Sequence, residues 1–388
     1  MGIGIVGAGI SGSYLAYQLA RQGYAVELFD PKAPWEKPCG GGITYRTLRD
    51  FPVLRDFRSA SVSARQLHLI GAGGERCTVE WELPLTVASR ESLGRYLLEK
   101  AVAQGATLVP RRVQQVTPVD SRWRIETDRE TGYCDFLVGA DGVGSLVRRR
   151  LASPFQTGDT TLAVGYWIDG PGLVDMTIGF VPSITGYVWL FPRGDHVSAG
   201  ICARRGEMSG RKLRELLDTF LRRHTPNLME SKRRAYGALI PALTAGRLAE
   251  NRICGDNWAL AGDASGLVNP LTGEGIYYAF QSAELLARGI AGGRIDDYAR
   301  SCRSAIVPEL SRAASYVRYF FDPRISNRLV ALVQENETVR RLLGRLISGE
   351  QSYGSLKKEL VMALPAKSGL DFLYRWVQRV SGRPGEST

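Results

Sequence analysis

Histidine and cysteine are scarce in this 388-residue chain, three and six residues respectively, and neither is clustered. Cys39, Cys77, Cys134, Cys202, Cys254 and Cys302 show no C-x-x-C spacing, which argues against a zinc site and a disulfide framework. No cysteine follows Cys302, so a C-terminal iron–sulfur centre held by four cysteines is excluded too. His68, His196 and His224 have neither triad nor metal-ligand spacing, and no metal is expected. Long apolar runs are also missing: no stretch of 18 apolar residues is available to cross a bilayer. An apolar strand pattern begins at Gly2, which leaves no room for a cleavable leader, and a cytoplasmic location is the expectation. Acidic residues are the minority charge, 39 against 50 Lys+Arg, for a net +11. Such a surplus can attract nucleic acid, anionic lipid or a phosphorylated substrate. It is diffuse and accompanies no nucleic-acid-binding motif, so nucleic acid is not expected among the partners.

Glycine is abundant, at 44 residues, and two glycine-rich segments far apart in sequence stand out. The first is Gly7-Ala8-Gly9-Ile10-Ser11-Gly12, between an apolar strand pattern (Gly2 to Val6) and a helix pattern (Ser13 to Gln22). Gly7 permits a tight turn, Gly9 lets a pyrophosphate approach the backbone, and Gly12 lets helix and strand pack closely. The free N–H groups of the helix start, Ser11 among them, suit an anion. Asp30 closes the next strand about 20 residues on, where a carboxylate holds the ribose hydroxyls of a dinucleotide and disfavours a 2′-phosphate. The second segment runs from Gly262-Asp263 through Asn269 to Gly273-Glu274-Gly275-Ile276 and into a long helix pattern. Asp263 ends a strand where it can accept from polyol hydroxyls, and the helix start near Gly273 can favour an anionic ring by about 0.3–1 kcal/mol. Two such sites on one chain point to one extended cofactor, FAD.

The organisation follows. Residues 1–70, 88–150 and 250–295 read as a discontinuous cofactor domain. Residues 71–87 and 151–249 read as an antiparallel-sheet substrate domain, and 296–388 as a helical C-terminal region. The predicted class is α/β, or α+β overall: a Rossmann-type FAD-binding domain, an antiparallel sheet and a helical tail. Strands are expected at Thr161 to Ile168, Met176 to Phe180, Tyr187 to Phe191 and Val197 to Cys202. No second G-x-G-x-x-G follows a strand, so NADPH has no dedicated domain, and the electron donor, NADPH or ferredoxin, stays open.

With Lys37-Pro38-Cys39-Gly40-Gly41-Gly42 and Tyr187-Val188-Trp189-Leu190-Phe191-Pro192, these segments resemble the geranylgeranyl reductase family of FAD-dependent oxidoreductases, within the p-hydroxybenzoate hydroxylase-like superfamily. The resemblance covers the chain to about residue 320. It implies hydride transfer from reduced FAD that saturates C=C bonds of a polyprenyl (geranylgeranyl-type) chain, on a lipid or a prenyl diphosphate. It also places Arg90 near the ribityl-phosphate region and adds Cys39, Gly40, Gly42 and Val113 to the cofactor set. Cys39 either lines the flavin and substrate face or is a small side chain in a tight loop. Tyr187 and Trp189 form an aromatic stripe that is either core or the wall of a prenyl pocket; with Cys39 they are the catalytic candidates. The rival reading is a flavin monooxygenase or halogenase of the same fold, acting on an aromatic or lipophilic small molecule.

In the tail, Ile325, Leu329, Leu332, Val339, Leu342 and Leu346 recur at helical spacing beside Arg324, Arg328, Arg340, Arg341 and Arg345. Leu370 to Val380 adds Phe372, Tyr374 and Trp376. Such basic amphipathic helices either dock on the protein's own core or make peripheral contact with the inner face of the membrane.

Overall fold

The computed structural model describes residues 1–59, 61–170 and 175–363. The opening segment forms strand Gly2–Val6, helix Ile10–Ala20 and strand Ala25–Phe29. This unit seeds a six-stranded sheet in the order Cys254–Gly255, Trp258–Leu260, Phe136–Gly139, Gly2–Val6, Ala25–Phe29, Thr107–Val109. All neighbours are parallel except the Cys254–Gly255 edge. Phe136–Gly139 is buried throughout, as a central parallel strand covered on both faces must be. Helices Ile10–Ala20, Arg90–Ala103 and Ile276–Ala291 cover one face through Leu15, Leu97 and Phe280. A three-stranded meander covers the other, with Val116, Trp123 and Ile125 against Val6, Phe29 and Leu137.

The second sheet has eight strands in the order Arg233–Pro241, Thr160–Asp169, His196–Arg204, Tyr187–Pro192, Met176–Phe180, Ser61–Ile70, Arg76–Ala88, Gly42–Ile43. It is antiparallel except where Met176–Phe180 runs parallel to Ser61–Ile70. Those two strands come from opposite sides of the cofactor domain in sequence, so no hairpin constrains their direction. Ser61–Ile70 and Gly42–Ile43 pair in this sheet and not in the first.

The two faces of this sheet have different covers. Val188, Leu190 and Ile201 meet Leu213, Leu217 and Leu221 of helix Gly210–His224. On the opposite face, Val330, Val333 and Val339 of helices Pro323–Glu335 and Glu337–Ser348 pack on Leu67, Val79 and Trp81. The apolar stripe of the tail is thus used internally. Its basic flank is partly engaged: Arg340 caps the preceding helix through the Val333 and Gln334 carbonyls, Arg341 pairs with Glu337, and Arg345 with Glu359. The expected aromatic segment Leu370 to Val380 lies outside the described residues. Among the described residues no helix is long and apolar enough to cross a membrane.

Candidate active site

The two glycine-rich segments meet. A Cβ on Gly262 would lie 2.5 Å from Ser11 Oγ, and the Gly262 N–H donates to Ser282 Oγ of the long helix at 3.0 Å. A Cβ on Gly12 would lie 1.9 Å from the Gly7 carbonyl oxygen, the close helix–strand approach that the fingerprint demands. Gly9, by contrast, faces open space, with nothing within 4 Å of its Cβ position, at the start of a helix without a side-chain cap. That is the surface a pyrophosphate needs. Asp30 lies beside it, holding the backbone N–H groups of Ala8 (3.0 Å), Lys32 (2.9 Å) and Ala33 (3.1 Å). Val113 sits apart, in the meander against the Val6 and Phe29 cluster.

The other candidates converge on one cavity of about 260 Å³: Cys39, Gly40, Gly42, Arg90, Tyr187, Trp189, Asp263, Gly273, Gly275 and Ile276 all line it. Asp263 pairs with Lys37 at 2.5 Å. Burial pushes its carboxyl up, but Lys37 and Arg90 outweigh that and hold it below the usual carboxylate range. Helix Ile276–Ala291 starts at Gly275 with no side-chain cap, so its free N–H groups face the same space. The Nε of Arg90 is buried with no hydrogen-bond partner.

The cysteine loop is held from a distance. The guanidinium of Arg193 is fully buried; it pairs with Glu36, and donates to the Cys39 carbonyl and, at 3.2 Å, to the Gly40 carbonyl. Ser198 Oγ donates to the same Cys39 carbonyl at 2.8 Å and lies 3.2 Å from the Tyr236 hydroxyl. Gly41 needs its positive φ of 85°, and a side chain there would strike the Ala88 carbonyl. The close approach at Gly40 is to the Phe191 ring, 2.6 Å from a Cβ, so what it admits closely is protein as well as ligand. Burial raises the Cys39 thiol, yet Arg90, Arg193 and the Gly41 N–H together hold it below its ordinary value. Tyr187 donates to the Thr272 carbonyl and stacks on Phe321, with its phenol pushed far up by burial.

The aromatic stripe is both core and wall. Trp189 lies over Gly200, whose Cβ would be 2.1 Å from its ring, and Tyr236 lies likewise over Gly165 at 2.5 Å. Ile178 and Leu69 continue the same row across the neighbouring strands. Leu329, Leu343 and Ile347 of the C-terminal helices complete the far end of the cavity. Residue patterns alone missed Glu36 and Arg193, which act across some 150 positions, and Glu274, Arg46, Glu309 and Tyr353 at the inner end. Only the position of Glu274 between two glycines hinted at close quarters.

The residues present fit FAD: an open Gly9 face, two uncapped helix starts, a cavity carboxylate at Asp263 and an unpartnered buried guanidinium N–H on Arg90. Residues 1–293 match the FAD-binding-domain family model. A menaquinone reductase of Mycobacterium tuberculosis is 30% identical over 341 residues, covering 81% of each chain. A geranylgeranyl diphosphate reductase of Rhodobacter capsulatus is 30% identical over 290 residues, covering 71% of each. Among solved structures, a geranylgeranyl bacteriochlorophyll reductase-like protein from Thermoplasma acidophilum superimposes with a TM-score of 0.76 at 19% identity, covering 93% of this chain and 98% of that one. The shared sheets, the matched model and the 30% relatives agree: this chain is an FAD-binding oxidoreductase and belongs to the geranylgeranyl reductase family.

Proposed function

We propose that this enzyme saturates isolated C=C bonds in a polyprenyl chain, carried on a lipid, a quinone or a diphosphate. The observation that supports this most directly is the cavity's composition. Beside Cys39 and Asp263 it is polar, and beyond Trp189 it is walled by Leu67, Leu69, Met176, Ile178, Leu329 and Leu343. An isoprenoid offers no hydrogen-bonding handle, so apolar contact must hold it, at about 0.8 kcal/mol per buried CH₂. Two of the relatives, a menaquinone reductase and a geranylgeranyl diphosphate reductase, are named for compounds that carry such chains.

Bound reduced FAD supplies the hydride. The chain's own residues do the rest. Asp263, Arg90 and the Gly9 and Gly275 helix starts hold the cofactor. Trp189, Ile178 and Leu69 form the surface on which the alkene lies, while the helices over Arg76–Ala88 close the apolar end and exclude water. The Arg193–Glu36 pair fixes the Cys39 loop beside the reacting carbons.

The test is an anaerobic single turnover. Dithionite-reduced protein is mixed with geranylgeranyl diphosphate or with menaquinone, and the product is analysed by mass spectrometry. A gain of two hydrogens per saturated bond, located in the prenyl chain by fragmentation rather than on the quinone ring, supports the reading when it occurs without oxygen. Product formation only in the presence of oxygen would replace it with a monooxygenase or halogenase. Stopped-flow reduction by NADPH, compared with a reduced ferredoxin, identifies the electron source.

A further inference from the structure

Reduction of an unactivated alkene needs a proton as well as a hydride, and the donor must sit in the cavity with its proton retained. We propose that Glu274 is that donor, placing a hydrogen on the alkene carbon that does not receive the hydride; this rests on the prenyl-reductase reading above.

Glu274 stands between Gly273 and Gly275, immediately before the helix that faces the cofactor site, and its carboxyl lines the cavity. Its partners are few and long: Thr44 Oγ1 donates to Oε1 at 3.2 Å, and Arg46 reaches Oε2 at 3.4 Å. Arg46 is shared, its guanidinium lying 3.6 Å above the Tyr277 ring. Asp263, on the same cavity, meets Lys37 at 2.5 Å. The two carboxyls are consequently driven apart. Asp263 is held ionised, whereas burial raises Glu274 more than Arg46 and Thr44 lower it. Two neighbouring carboxyls pushed in opposite directions mark which is the acid. The charged and titratable groups facing Glu274 are Arg46 from helix Tyr45–Asp50, Tyr277 and Tyr278 from the helix that follows it, and Tyr353 from helix Tyr353–Ala363, with Glu309, which also lines the cavity, accepting from the Tyr353 N–H.

The alternatives are weaker donors. The Tyr187 hydroxyl is committed to the Thr272 carbonyl and burial makes it a poorer acid. Arg90 and Arg193 pull the Cys39 thiol below its ordinary value, whereas Glu274 is pushed toward its protonated form. In the balanced step the alkene π bond breaks and two C–H bonds form. One takes the hydride pair from reduced FAD, which is oxidised; the other takes the proton from the Glu274 O–H. The carboxylate left behind recovers a proton from solvent.

The experiment uses the full chain, wild type, Glu274→Gln and Arg46→Gln. With FAD bound and reduced anaerobically, Glu274→Gln is expected to keep its KM for geranylgeranyl diphosphate and lose about 100-fold or more in turnover. The wild-type rate should fall on the basic side as Glu274 deprotonates. That limb should vanish in Glu274→Gln and move to higher pH in Arg46→Gln, where the charge that lowers the Glu274 pKa is gone. Independently of activity, the flavin-free wild type should show a protonated-carboxyl infrared band persisting above the usual carboxylate range and missing in Glu274→Gln. A near wild-type rate in Glu274→Gln, an infrared band that titrates as an ordinary carboxyl, or an unmoved limb in Arg46→Gln overturns the proposal. If Glu274→Gln fails to fold, the wild-type band and the Arg46→Gln limb still decide it. A wild type that reduces no prenyl chain sinks the reading beneath it instead.

Discussion

Replacing Arg193 by methionine should loosen the cysteine loop and lower stability measurably. The Arg193 side chain is 0% exposed and that of Glu36 17%. Removing one member of a buried pair costs about 3–5 kcal/mol when the other is stranded. Glu36 is not wholly stranded here: it keeps Ser89 Oγ and the N–H groups of Arg90 at 3.2 Å and Glu91 at 3.1 Å. The Cys39 carbonyl keeps Ser198 Oγ, whereas the Gly40 carbonyl loses the Arg193 Nε. The loss should therefore lie near the low end, about 3 kcal/mol, which for a chain of this size lowers Tm by roughly 4 °C. Urea unfolding of Arg193→Met, Glu36→Gln and the double variant gives the coupling, expected at about 1–3 kcal/mol. The pH dependence has a definite sign. Burial raises the Glu36 pKa, but Arg193, Ser89 and the Glu91 N–H bring it below its ordinary 4.5. The pair's contribution is thus fully present above that value and fades as pH falls through the lower folded value. In Arg193→Met this acid-side loss should shrink. A total cost under about 1 kcal/mol, or zero coupling with Glu36→Gln, refutes the clamp.

Gly12→Ala should abolish FAD binding and much of the soluble yield, because its methyl would occupy the Gly7 carbonyl position; normal flavin absorbance in the purified variant would contradict this. Asp263→Asn removes the partner of Lys37 and a charged acceptor in the cavity, so FAD affinity should fall at least about tenfold, measured by flavin fluorescence titration. Arg90→Met should raise the Cys39 pKa and slow its alkylation at neutral pH, followed with a chromogenic thiol reagent; unchanged kinetics would detach Arg90 from the thiol. Leu343→Trp should block the apolar end, sparing FAD binding and turnover of short prenyl chains while reducing that of long ones, as a chain-length series would show. Co-sedimentation with anionic vesicles checks whether the exposed arginines of helices Pro323–Glu335 and Glu337–Ser348 reach a membrane.

The cofactor half of this molecule is local in origin, and for that reason it was legible in the amino-acid sequence. Gly7, Gly9 and Gly12 lie within six residues, Asp30 follows the next strand, and Gly262 to Ile276 leads continuously into a helix; each requirement is met within one short stretch of chain. The alternation of Tyr187, Trp189 and Phe191 likewise announced a strand with an aromatic stripe. Tertiary structure alone decided what those faces meet. Nothing local could tell that Trp189 lies over Gly200, that Met176–Phe180 runs parallel to Ser61–Ile70, or that the basic tail folds its apolar side onto Arg76–Ala88. The same holds for the cavity's electrostatics. That the Asp263 carboxyl is pushed down and the Glu274 carboxyl up depends on Lys37, Arg46, Thr44 and the depth of burial. Backbone geometry is set between chain neighbours, whereas a side chain's charge is set by whatever the fold brings within a few ångströms of it.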